Sequence, residues 1–203
     1  MTPRVKVCGL TRIEDARLAC ELGAAALGFV FWPGSPRAID PHRARTIVLA
    51  LPPFVTPVGV FVNQPIEYVR QIATLVGLGV VQLHGDESVG YAAALERPVL
   101  KAMTVDVAGG PAAEEWPTAT TMILLDAHDP VRRGGTGRTI DWRGAAAVAS
   151  RRRIMLAGGL NPDNVADAIS AVRPFGIDVS SGVEQAPGVK DPGRLRSLFE
   201  AIS

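Results

Sequence analysis

Short apolar runs suited to strands recur eight times along the chain, each followed by a polar or Gly-containing loop and then by a stretch with helical apolar spacing. This recurrence limits the fold sharply, because strands separated by helices cannot form hairpins and must pair in parallel. The first run carries Val5 and Val7; the others are Ala24–Trp32, Val58–Asn63, Gly79–Gly85, Pro98–Met103, Thr121–Asp126, Arg153–Ala157 and Gly176–Ser180. Helices are expected after Thr11, over Pro41–Leu51 and Pro65–Val76, after Asp86 and Glu87, after Asp141, up to Val172 and after Asp191, with a weak helix or loop up to Pro117. Thr11 is the expected N-cap of the first, with Glu14 three residues on as in a capping box. Eight units of roughly 25 residues close most naturally into one α/β domain over residues 1–203, a (β/α)8 TIM barrel. A doubly wound open sheet is the runner-up, but it places a Gly-rich fingerprint after its first strand, where only Gly9 stands.

Composition narrows the classes of function. With 47% hydrophobic and 20% charged residues the chain reads as an ordinary soluble domain. A net charge of +1 with both signs scattered leaves no basic stripe, so nucleic acid is not an expected partner. No apolar run approaches the ~20 residues of a membrane span. Cys8 and Cys20 have neither zinc-ligand nor disulfide spacing, and the N-terminus lacks the apolar core of a signal peptide. A cytoplasmic monomer is the expectation.

Strand parity picks out the chemistry. A lone cysteine is most often a small core hydrophobe. Cys8, however, ends its strand on the face it shares with Lys6, and a cation one inward position away favours the reactive thiolate. In a barrel the inward polar set becomes Lys6, Cys8, Gln82, His84, Asp126, Asp178 and Ser180, converging on one mouth, while Val5, Val7, Val81, Leu83, Leu125 and Val179 face the helices. Lys6 needs an opposite charge to be buried, and Asp178, on the strand that neighbours the first when a barrel closes, is the best placed. Gln82 and His84 read as a hydrogen-bonded structural pair, and His84 is also a candidate substrate contact. Asp126 ends an apolar strand, where desolvation favours a proton and hence a general-acid role.

Gly158 and Gly159 follow the seventh strand; Asp178, Ser180, Ser181 and Gly182 end and follow the eighth. Loops after these two strands commonly hold phosphate in this fold, so these six residues form the candidate phosphate cradle. The run Gly134-Gly-Thr-Gly137 lacks the spacing of a nucleotide-binding loop and reads as a mobile active-site loop or a connector.

Over almost its whole length the chain resembles phosphoribosylanthranilate isomerases. The resemblance rests on Lys6-Val-Cys-Gly-Leu-Thr11, Gly28-Phe-Val-Phe-Trp-Pro-Gly-Ser-Pro-Arg37, Gln82-Leu-His-Gly-Asp-Glu87, Gly134-Gly-Thr-Gly137, Ala157-Gly-Gly-Leu-Asn-Pro-Asp-Asn164 and Asp178-Val-Ser-Ser-Gly-Val-Glu184. It implies a barrel needing no metal or organic cofactor, which isomerises N-(5-phosphoribosyl)anthranilate by an Amadori rearrangement. It further implies Cys8 as general base, Asp126 as general acid, Arg37 as partner of the anthranilate carboxylate, and the two late loops as the phosphate site. Val7 and Arg138 stand where the family often has Ile and Lys, away from the proposed chemistry. Barrel isomerases of histidine biosynthesis and their dual-substrate relatives are the enzyme alternative, but they have Asp where this chain has Cys8. A non-catalytic phosphosugar-binding barrel is the other, and an intact Cys8, Asp126 and Arg37 set argues against it.

Overall fold

Val5 and Val7 bury against helices while Lys6, between them, points inward, and this alternation continues around the molecule. The computed structural model describes residues 2–106, 113–126 and 141–202. Its first half comprises β1 (Arg4–Val7), α1 (Ile13–Glu21), β2 (Ala26–Val30), α2 (Pro41–Val48), β3 (Thr56–Phe61), α3 (Ile66–Val76), β4 (Val80–Leu83), α4 (Val89–Ala94) and β5 (Val99–Met103). Then come β6 (Thr121–Leu125), α5 (Trp142–Ala149), β7 (Ile154–Leu156), α6 (Val165–Val172), β8 (Gly176–Val179), a short hairpin of β9 (Glu184–Ala186) and β10 (Val189–Lys190), and α7 (Pro192–Ala201). Strands β1 to β8 pair in sequence order and in parallel, and β8 returns to β1 to close the barrel. No helix among the described residues is long and apolar enough to cross a membrane.

Outward residues such as Val7, Leu27, Phe29, Leu83, Leu125, Leu156 and Val179 are buried in the cluster between strands and helices. Each such side chain contributes about 1.5–3 kcal/mol by leaving water, and this layer holds the helices on. Inside, Leu100, Leu124 and Met155 form a separate cluster that fills the barrel. The interior is thus a packed floor beneath the site rather than a pore.

Several helix starts follow the sequence. Asp40, Asp141 and Asp191 each accept backbone N–H groups of the turn they precede, with Pro41 and Pro192 next to two of them. The first start differs. The N-cap of α1 is Arg12 and has no side-chain cap, whereas Thr11 Oγ1 donates to the carbonyl of Gly188, 2.5 Å away. Thr11 therefore fastens the β1–α1 loop to the hairpin. That hairpin was not expected from the sequence, although Pro187-Gly188, with Gly188 at φ +81°, suits a type II turn.

Candidate active site

Register explains the first charge pair. Lys6 and Asp178 are direct partners across β1 and β8, so their side chains rise on the same inner face, with Nζ 2.8 Å from Oδ1. Burial opposes the charge on Lys6, but the Asp178 carboxylate and the Cys8 thiol outweigh it and hold its pKa above the ordinary lysine value. Cys8 follows one step along, buried against Val30 and Val60 with Trp32 beside them. Its thiol fits because β2 carries Gly28 here: a Cβ on that residue would stand 2.7 Å from Sγ. Desolvation raises the pKa of Cys8 above its ordinary 9.0, and Lys6 and, more weakly, Lys190 pull it back only in part. The lysine thus favours the thiolate, as expected, while burial outweighs it and the net shift is upward.

Gln82 ends inside β4, and its Nε2 lies 2.9 Å from His84 Nδ1. With that amide as donor, Nδ1 accepts and the imidazole hydrogen sits on Nε2, 3.3 Å from Asp126 Oδ2. The expected structural pair therefore also faces Asp126. Gln82 Oε1 is buried without a partner among the described residues.

These groups open into one cavity of about 550 Å³, lined by Cys8, Trp32, Arg37, His84, Asp126, Gly158, Gly159, Asp178, Ser180 and Ser181 among others. It lies at the carboxyl ends of the strands, where this fold collects its chemistry. Gly158 and Gly159 adopt φ of +84° and +67°, a backbone that glycine alone adopts readily. Gly182 lies behind the wall: a Cβ there would meet the Leu160 carbonyl at 2.0 Å, so the two late loops abut. Of the six residues expected in the phosphate cradle, Asp178 lines the cavity with its side chain paired to Lys6. Its carboxylate offers an anion no donor. The Gly134–Gly137 run and Arg138 lie outside the described residues. Among the described residues no cluster of three or more His, Cys, Asp or Glu is placed to hold a metal ion.

Two charged neighbours of Arg37 and Cys8 escaped sequence reasoning. Glu184 Oε2 is 2.7 Å from Arg37 Nη2, and Lys190 Nζ, with no side-chain exposure, is 2.9 Å from Glu184 Oε1. Burial opposes the charge on Glu184, but Arg37 and Lys190 together hold its pKa below the usual 4.5. Glu184 stood within a recognisable run; nothing about Lys190 distinguishes it from a surface lysine.

Known proteins are similar to this chain in sequence and in fold. The family model of N-(5'phosphoribosyl)anthranilate (PRA) isomerase matches residues 5–201. The N-(5'-phosphoribosyl)anthranilate isomerase of Citrifermentans bemidjiense is 50% identical over 196 residues, 97% of this chain and 95% of that protein. That of Pelobacter propionicus is 48% identical over 198 residues, 97% and 93% of the two chains. The crystal structure of the Thermus thermophilus phosphoribosyl anthranilate isomerase superposes with a TM-score of 0.89 at 44% identity, covering 98% of each chain. Another phosphoribosyl anthranilate isomerase, in complex with reduced 1-(o-carboxyphenylamino)-1-deoxyribulose 5-phosphate, does so at 0.86 and 42%, again over 98% of each. By sequence over nearly its full length and by its barrel, this chain belongs to the N-(5'-phosphoribosyl)anthranilate isomerase family.

Proposed function

We propose that Cys8 and Asp126 divide the proton transfers of the reaction between them. The chain is an isomerase of tryptophan biosynthesis, converting N-(5'-phosphoribosyl)anthranilate to 1-(2-carboxyphenylamino)-1-deoxyribulose 5-phosphate. Asp126 gives its proton to the furanose ring oxygen as the bond from that oxygen to C1 breaks, leaving an iminium between C1 and the anthranilate nitrogen. Cys8, as thiolate, takes the C2 proton, which the iminium has made acidic, and the enol-amine that results tautomerises to the ketose by gaining a proton at C1. His84 orients Asp126, Arg37 holds the anthranilate carboxylate, and Gly158, Gly159, Ser180, Ser181 and Gly182 supply the phosphate end.

The observation that carries this reading is the meeting of an acid, a base, an arginine and two abutting Gly/Ser loops around one cavity. Turnover followed by loss of anthranilate fluorescence tests it, with Asp126→Asn and Cys8→Ser expected to be nearly inactive. Activity on the two-phosphate substrate of histidine biosynthesis in place of this one would overturn it. The reading extends to a monomer in the cytoplasm. Both cysteines are free, and among the described large apolar side chains only Leu49, Phe54 and Phe175 are exposed. Light scattering should give 21.4 kDa, and twice that mass would overturn the monomer.

A further inference from the structure

Arg37 does not wait for substrate with its guanidinium loose. Its Nε lies 3.0 and 3.1 Å from the two oxygens of Glu184, and Nη2 donates to Oε2 at 2.7 Å, so one edge of the guanidinium is already in a bidentate fork. Glu184 is itself fixed. Its Oε1 accepts from Lys190 Nζ at 2.9 Å and from the backbone N–H of Gly188 at 3.2 Å. Lys190 spends its other donors on the carbonyls of Cys8, 2.6 Å away, and Ser180, 3.2 Å away, at the ends of the two strands that close the barrel. We infer that Glu184 is a positioning residue for the substrate's aromatic carboxylate, acting through Arg37. By occupying the Nε–Nη2 edge it leaves Nη1 and the second hydrogen of Nη2 for a ligand in the cavity that Arg37 lines. A planar carboxylate meets that remaining edge as a second fork, and the arginine is held for it before binding. This role rests on the reading of Arg37 as the carboxylate contact.

The test separates positioning from general support of the loop. Two probes are used: reduced 1-(o-carboxyphenylamino)-1-deoxyribulose 5-phosphate, and its anilino counterpart without the carboxylate. Glu184→Gln should weaken the first by about tenfold or more, the scale of one charged hydrogen bond, while leaving the second bound as before, and should raise KM more than it lowers kcat. Glu184→Asp, which still neutralises Lys190 but is too short for the fork, should show the same selective loss and serves if Glu184→Gln does not fold. An equal loss for both probes, or no loss for either, overturns the positioning role. Arg37→Met should lose the same discrimination. If it does so while both Glu184 variants keep it, the positioning role alone falls; if Arg37→Met binds both probes like the parent, the carboxylate reading falls and takes the positioning role with it.

Discussion

As the proposed base, Cys8 has surroundings that oppose its own ionisation: desolvation raises the thiol pKa, and Lys6 and Lys190 offset this only partly. A thiolate formed at such a cost is a stronger base once formed, and activity should climb as the pH rises from neutral towards the raised thiol pKa. Cys8→Ser replaces it with a hydroxyl that no neighbour activates; turnover should fall by roughly 10²–10⁴ with affinity for the reduced product analogue nearly intact. A serine variant within a few-fold of the parent would remove Cys8 from the mechanism. Lys6→Met removes the nearest cation and leaves Asp178 unneutralised, and both changes push the thiol higher. Alkylation of Cys8 by iodoacetamide at neutral pH should therefore slow, and an unchanged rate would detach Lys6 from the thiol. Arg37→Lys keeps the charge but loses the planar fork with Glu184, so KM should rise despite the conservative exchange.

The eight barrel strands and three helix caps were legible in the sequence because each is signalled locally. Alternating Val5, Lys6, Val7 and Cys8 declare two faces, and Asp40 and Asp191 before proline declare two helix starts. The β9–β10 hairpin was not legible, since its two strands hold three and two residues and no periodicity can emerge over so few. Its chemistry is equally non-local: Lys190 meets the Cys8 carbonyl across 182 positions of chain, and Thr11 reaches Gly188 across 177. The element also makes a prediction in pH. The folded-state pKa of Glu184 is depressed, so its ionised form stabilises the fold fully above the ordinary 4.5, and that contribution is lost as pH falls below 4.5 through the folded value. Urea midpoints of the parent should drop over this acid range, and Glu184→Gln should flatten that part of the curve; parallel curves would separate the carboxylate from acid stability.

At the scale of the whole molecule, the Lys6–Asp178 pair joins the first barrel strand to the last, with Lys6 buried and Asp178 nearly so at the floor of the cavity. Such a pair gains little over an apolar substitute of the same shape, because two desolvated charges offset much of their mutual attraction, yet losing one partner is costly. Lys6→Met should destabilise the barrel by about 3–5 kcal/mol, whereas Lys6→Met with Asp178→Leu should recover a large part of that loss. The pH dependence fixes the cause. Burial already raises the pKa of Asp178 against the pull of Lys6, and without the lysine it rises further. An acid whose folded pKa lies above its unfolded value is stabilising when protonated, at low pH, and this advantage is lost as pH rises through the folded value. Relative to the parent, Lys6→Met should therefore lose least at mildly acidic pH and most at alkaline pH, read from urea midpoints across the range. The double variant, with no carboxylate left to titrate at that position, should lose this slope. A Lys6→Met penalty that is the same at every pH would mean that the lost stability comes from packing of the lysine stem, and that barrel closure does not depend on the charge pair.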